Sequence, residues 1–182
     1  MRTKSAQPSY EIKKENKTMK TIIVGIGNPI LGDDGAGIHV VDELKKHLNN
    51  QEITIETAST GGMNLLDMII GYDQAILIDT MKKPYLQPGT VQQYDISELP
   101  TTHTYNPHDV SLPEALRLAQ QLGQQNLPKT ITIIGISLQR APRVFTDVLS
   151  PPIAAAVPKA VELTLSLLQH HKKTLRRAIP DD

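Results

Sequence analysis

The stretch "GIGNPILGDDGAG", Gly25 to Gly37, follows the apolar run Thr21–Val24 and decides how the rest of the chain is read. A glycine-rich turn between a strand and a helix usually cradles phosphate. This one fails both standard templates. A dinucleotide fingerprint beginning at Gly25 and Gly27 needs a third glycine where Ile30 stands. A phosphate loop fits as far as Gly27 and Gly32, but its Lys and Ser/Thr are replaced by Asp33 and Asp34. Phosphate loops work through backbone N–H groups and a helix N-terminus, both of which favour anions. Two carboxylates there repel an anion, so the loop is built to receive something positive or polar, with a metal ion the first candidate.

Outward from the loop, strand and helix patterns alternate. "TIIVGIG" reads as a buried strand. From Asp34 to Leu48, apolar residues recur at helical spacing: Ile38, Val41, Leu44, Leu48. "EITIETA" is a strand, "GGMNLLDMIIG" a short helix ending at Gly71, and "QAILIDT" a continuous apolar strand of the kind found centrally in parallel sheets. "GTVQQYDI" alternates and reads as an edge strand. After the polar loop "SELPTTHTYNPHDV", Ser111 and Glu114 form a capping-box pattern that opens a helix running to about Gly123, with Asp109 an alternative start. "KTITIIGIS" is the last strand. Past Pro151–Pro152, "IAAAVPKAVELTLSLLQ" is a closing helix expected to kink at Pro158. The pattern predicts a three-layer α/β/α sandwich with a mostly parallel central sheet.

Composition bounds the function. The 182 residues suit one domain with a real core. Lys+Arg and Asp+Glu number 19 each, so nothing favours a nucleic-acid or anionic-membrane surface. The absence of cysteine excludes a thiol nucleophile, thiolate zinc and disulfides. No uninterrupted apolar run approaches the roughly 20 residues of a membrane span, and the polar start lacks the apolar region of a signal peptide. A cytoplasmic protein is expected. Residues 1–18 offer almost no core-forming side chains, and Met19 immediately precedes "KTIIVGIG". They are expected to be a disordered arm or an extension upstream of the true start. Residues 19–170 form the single domain, and 171–182 a charged tail expected to fray.

Sites in open α/β sheets collect at the carboxyl ends of strands. In this reading Asp33 and Asp34 follow the first strand, Asp79 is the last buried position of "AILID", and His108 lies before the third long helix. Each has a bland alternative. Asp33 or Asp34 could be an N-cap. Asp79 could cap a turn at Thr80–Met81. His108 could be an ordinary loop histidine, with His103 competing for its role. His39 and His47 sit on the first helix, facing solvent or packing there, and His170 and His171 lie in the solvated tail. The joint placement of carboxylates and a histidine at one sheet edge outweighs these separate readings. No HExxH helix and no GxSxG elbow is present.

"GIGNPILGDDGAGIHVVDEL" resembles the opening of the [NiFe]-hydrogenase maturation endopeptidases. The resemblance runs from about Lys20 to about Leu168 through "TGGMNLLDMI", "ILIDT", "PGTV", "PHDVSLPEAL", "ITIIGI" and "LSPPIAAAVPKAVELTL". It implies a phosphorylase/hydrolase-like fold and a cytoplasmic, monomeric endopeptidase dependent on nickel. Such an enzyme removes the C-terminal extension of the hydrogenase large-subunit precursor once nickel is inserted. Carried over motif by motif, the catalytic and metal-contacting residues are Asp34, Asp79 and His108. The nickel is the substrate's own, and no organic cofactor is implied. Gly61–Gly62 and Asn28 would shape the cleft. Two carboxylates and an imidazole suit nickel or zinc. Carboxylates ~5 Å apart repel by roughly 3 kcal/mol at an effective dielectric of 20, which a divalent cation relieves. A non-hydrolytic nickel-binding accessory protein would use the same three residues, and a small-molecule hydrolase on the same fold would bind anions near Gly27–Gly32.

Deleting residues 1–18 should leave the melting temperature within about 2 °C of the full chain, since surface changes of this kind stay within about 0.5 kcal/mol. A larger fall in thermal denaturation would show that the arm packs on the domain.

Overall fold

The computed structural model describes residues 19–59, 61–99, 110–139 and 145–177, with side chains as far as His170. Five strands form one sheet: β1 Thr21–Ile26, β2 Ile53–Ala58, β3 Gln74–Lys82, β4 Val91–Asp95 and β5 Thr130–Leu138. Their spatial order is β2-β1-β3-β5-β4. All neighbours run parallel except β4, which pairs antiparallel with β5. The central strands β1, β3 and β5 are buried almost throughout, while β2 and β4 at the edges carry exposed polar residues. Helices cover both faces, so the central strands read as continuous β-branched and aliphatic runs.

Alternation along each strand sorts the core into two layers. Ile23, Ile76, Ile78, Ile134 and Ile136 pack with α1 (Ala36–His47), α4 (Pro151–Ala154) and α5 (Val157–Arg177). Ile22, Val24, Leu77, Ile131 and Ile133 pack with α2 (Gly62–Ile69) and α3 (Leu112–Gln121). The three-layer expectation holds.

Local chemistry sets the helix ends. A short 3-10 turn, Gly32–Gly35, precedes α1, which therefore starts two residues later than its periodicity indicates. α2 ends at Ile69, and Gly71 follows with φ 91°, the left-handed conformation that closes helices. Glu114 accepts hydrogen bonds from the Ser111 N–H (3.2 Å) and Oγ (2.9 Å), so α3 opens at Ser111 rather than Asp109. The closing segment is two helices, not one kinked helix. Pro158 has no N–H to continue the ladder of α4, so α4 stops at Ala154 and α5 begins at Val157, with the proline tolerated in its first turn. The α5 backbone stays helical through Arg177, beyond the point where charge density marked a frayed tail. Pro151–His170 is long and apolar enough on average to cross a membrane. It nevertheless carries Lys159 and Glu162 and buries Ile153, Ala156, Ala160 and Leu168 in the domain core.

Two glycines let α1 lie directly on the sheet. A Cβ on Gly25 would meet the Gly37 carbonyl oxygen at 2.3 Å, and one on Gly37 would meet the carbonyl oxygens of Ile26 and Ile78 at 2.4 Å each. The helix thus starts in backbone contact with both β1 and β3. Gly37→Ala should destabilise the fold by about 3 kcal/mol, because the neighbours are main chain and cannot yield. The matching fall in melting temperature is roughly 6–12 °C. Gly61→Ala is the milder comparison: its φ is −128° and a Cβ there meets nothing within 4 Å, so it should lose only glycine's N-cap preference over alanine, about 1 kcal/mol or less.

Candidate active site

The order β2-β1-β3 means that the chain leaves β1 in one direction through α1 and returns to its other side through α2. The carboxyl ends of β1 and β3 therefore form a topological switch point, where α/β sheets bind their ligands. β1 pairs with β3 only as far as Gly25 opposite Ile78. β3 continues beside β5 to Lys82 opposite Leu138. Asp79 is thus not the final residue of its strand. It is the first residue past the β1 ladder, partly rather than fully buried, with the β1 side vacated by the departing glycine loop. The sequence pattern fixed its neighbourhood but not this step, which depends on the unequal lengths of β1 and β5.

The glycine loop folds onto itself. Gly27 has φ 147°, and a Cβ there would lie 1.8 Å from the Asp34 carbonyl oxygen. Asp34 Oδ2 accepts the Asn28 N–H at 2.9 Å. Asn28 Oδ1 accepts the Ile30 N–H at 3.2 Å. Gly27, Leu31 and Gly32 donate to the carbonyls of Ala58, Asn28 and Thr146. Every main-chain N–H from Gly27 to Gly32 is therefore spent inside the protein, Pro29 having none. The amides that a phosphate loop would aim at an anion are occupied. Neither aspartate caps α1, whose N-terminus has no side-chain cap. Asp33 instead reaches across the fold to Ser150, accepting its N–H at 2.6 Å and its Oγ–H at 2.8 Å. This latch between the loop and the start of α4 was missed in the sequence, although Ser150 before two prolines is itself a helix-start signal.

Asp79 Oδ1 accepts the N–H of its own neighbour Thr80 at 2.7 Å. Residues 79–82 remain in the strand, so there is no turn for it to cap. Burial pushes the Asp79 carboxyl up from 3.8 to about 7; the Thr80 N–H opposes the shift, and the negative charge of Asp34 adds to it. The charge of Asp34 therefore reaches Asp79 across the switch point. His108 and His103 lie outside the described residues. Among those described, no three His, Cys, Asp or Glu side chains gather as a metal site. His39 is exposed and His47 pairs with Glu43 at 3.3 Å, both on the surface of α1.

Asp79 lines a cleft of about 390 Å³ whose other walls include Ile26, Leu65, Met81, Leu99 and Val110. Gly62 belongs to the same wall with φ 58°; a Cβ there would strike the Val110 carbonyl oxygen at 2.0 Å, so only glycine lets α2 and the start of α3 close together. The result is an apolar slot with an acid on its sheet side. Sequence periodicity gave no sign of it, because its residues come from six separate segments.

An α/β protein with a mostly parallel sheet, acids at its switch point and an apolar cleft beside Asp79 has the layout of an enzyme, and comparison with known proteins identifies which kind. The sequence model of the HycI hydrogenase maturation protease family matches residues 38–167. A putative hydrogenase maturation protease of Methanocaldococcus jannaschii is 30% identical over 156 residues, covering 82% of this chain and 96% of that protein. The hydrogenase 2 maturation protease of Escherichia coli is 27% identical, covering 83% and 92%. Among solved structures, the hydrogenase maturating endopeptidase HybD of E. coli superposes with a TM-score of 0.68 at 26% identity, over 84% of this chain and 94% of that one. The chain belongs to the hydrogenase maturation protease family, and it is a peptidase. That membership sets aside the non-hydrolytic accessory reading.

The raised carboxyl has a stability signature. Below about pH 4 Asp79 is protonated in both folded and unfolded chains and costs nothing. Between about 4 and 7 the unfolded chain ionises while the folded one holds its proton, so stability falls as pH rises, and above about 7 the full penalty remains. Asp79→Asn keeps the shape and the acceptor for Thr80 without the charge. At pH 8 the variant should melt roughly 4–8 °C higher than the parent, for a relief of about 2 kcal/mol. The difference should vanish near pH 4. A variant equally stable or less stable at pH 8 would show that Asp79 is not held against its ionised form.

Proposed function

We propose that this peptidase removes the C-terminal extension of a [NiFe]-hydrogenase large-subunit precursor and recognises the precursor's own nickel through Asp34, Asp79 and His108. The observation that carries the reading is the Asp79 carboxyl, raised to about 7 by burial with the charge of Asp34 adding to the shift. A carboxyl whose charged form is disfavoured by burial, with a neighbouring acid adding to the shift, is a receptor for a divalent cation, which lets it ionise. His108 stands two residues before Val110, a cleft-lining residue, and would add the imidazole that turns an oxygen pair into a nickel-compatible set. The names of the relatives in M. jannaschii and E. coli, both hydrogenase maturation proteases, support a hydrogenase precursor as substrate.

In this reading Asp79 must give up its proton when nickel engages. The apparent affinity for the nickel-loaded precursor should therefore weaken as pH falls below about 7, with KM rising while protein stability does not fall. The decisive experiment mixes metal-free protease with nickel-loaded and nickel-free precursor and weighs the C-terminal products by mass spectrometry. Cleavage of the nickel-loaded form alone is expected, and both Asp79→Asn and His108→Ala should slow it at least about 100-fold. Equal cleavage of the two precursors would overturn nickel recognition. Cleavage of nickel-free precursor after zinc loading of the protease would make it an ordinary metallopeptidase.

A further inference from the structure

Phe145 is the chain's one phenylalanine, and it is 79% exposed. Val148, three residues on, is 69% exposed, and Ile30 in the glycine loop is 55% exposed. These three side chains occupy a single stitched unit. Thr146 N–H donates to the Ile30 carbonyl at 2.9 Å, and Gly32 N–H to the Thr146 carbonyl at 2.7 Å. Leu31 and Thr146 form a parallel bridge. Val148 N–H is held by Thr146 Oγ1 at 3.1 Å, and Asp33 clamps the far end at Ser150. The segment is fixed in place by main-chain bonds, yet its largest apolar side chains are left in water. Exposed apolar groups gathered beside a functional loop mark interaction surfaces.

We infer that Ile30, Phe145 and Val148 form the surface on which the body of the folded precursor protein docks while its metal-bearing end reaches Asp34. The inference rests on the reading of the site given above. Continuity argues for this occupant: Ile30 is four residues from Asp34 in the same loop, a span of at most about 14 Å. Whatever presents a metal held in a folded protein to Asp34 must pass its own surface over Ile30 and the segment bridged to it. The exposed acid Asp147, between Phe145 and Val148, opposes an anionic lipid surface and favours a partner face that combines apolar groups with a base.

The test is the double variant Phe145→Ser/Val148→Ser, assayed with nickel-loaded precursor beside the parent chain. Both positions are exposed, so the melting temperature should be unchanged. The KM should rise about 10-fold with kcat held within about 2-fold, because chemistry at the cleft is untouched and only docking is lost. Phe145→Leu should restore most of the lost affinity. Parent-like KM in the double variant, with normal cleavage by the parent, would overturn the docking surface while leaving the site reading intact. Concentration-dependent dimerisation of the parent in sedimentation, abolished in the double variant, would assign the patch to a second copy and also overturn it. Failure of the parent itself to cleave nickel-loaded precursor would overturn the site reading and this surface with it.

Discussion

Between β1 and β3 the ladder ends at Gly25 and Ile78, while β5 carries β3 on to Lys82. That difference in strand length makes a step in an otherwise continuous sheet. Three consequences follow from it. Asp79 leaves the fully buried core but remains out of water on most sides. The chain departing β1 must turn at once, which only the glycine loop allows. The turn also leaves Asp34 near enough for its negative charge to add to what raises the Asp79 carboxyl. The N-terminus of α1 reinforces the step, since Gly25 and Gly37 bring helix and strands into main-chain contact and leave the loop no freedom to drift.

The step is costly, because a carboxyl held away from water is worth less to the folded chain than one in solvent. The cost is offset by the large apolar layers on both faces of the sheet, and it is present only where the carboxyl would otherwise ionise. A group placed so that its charged form is disfavoured, with a second acid near it, gains most when a cation arrives. On the proposed reading of the site, stability and recognition oppose each other at this one residue, a pattern common at functional sites.

Much of this was legible in the residues. Continuous runs such as "AILI" announced central parallel strands, because both faces of such a strand are covered. Ser111 with Glu114 announced a helix start through local bonds that tertiary context did not override. Asp33 and Asp34 were legible as acids in a place that usually holds phosphate. Their division of labour was not, because the partner of Asp33 lies 117 residues away. The length of β3 past Asp79 was equally hidden, since it is set by pairing with β5 rather than by its own composition. Pro158 showed that the closing helix would be interrupted, but not that the interruption would separate two helices. The apolar cleft is a property of assembly alone.

The loop's hydrogen bonds explain why its glycines do not make it a phosphate site. In a phosphate loop the amides point outward and the helix N-terminus adds positive potential. Here the Asn28 amide is bound by Asp34, the Ile30 amide by the Asn28 side chain and the Gly32 amide by Thr146. The loop spends its donors to hold its own shape, and the side chain that does part of the holding, Asp34, is itself an acid whose negative charge adds to what raises Asp79. The same backbone economy that gives one family of α/β proteins an anion cradle is spent here inside the loop, with the donors satisfied by the protein itself and acids standing where a phosphate loop carries its cation. A change of chemistry without a change of fold needs no more than that inversion: the glycines stay, and the donors turn inward.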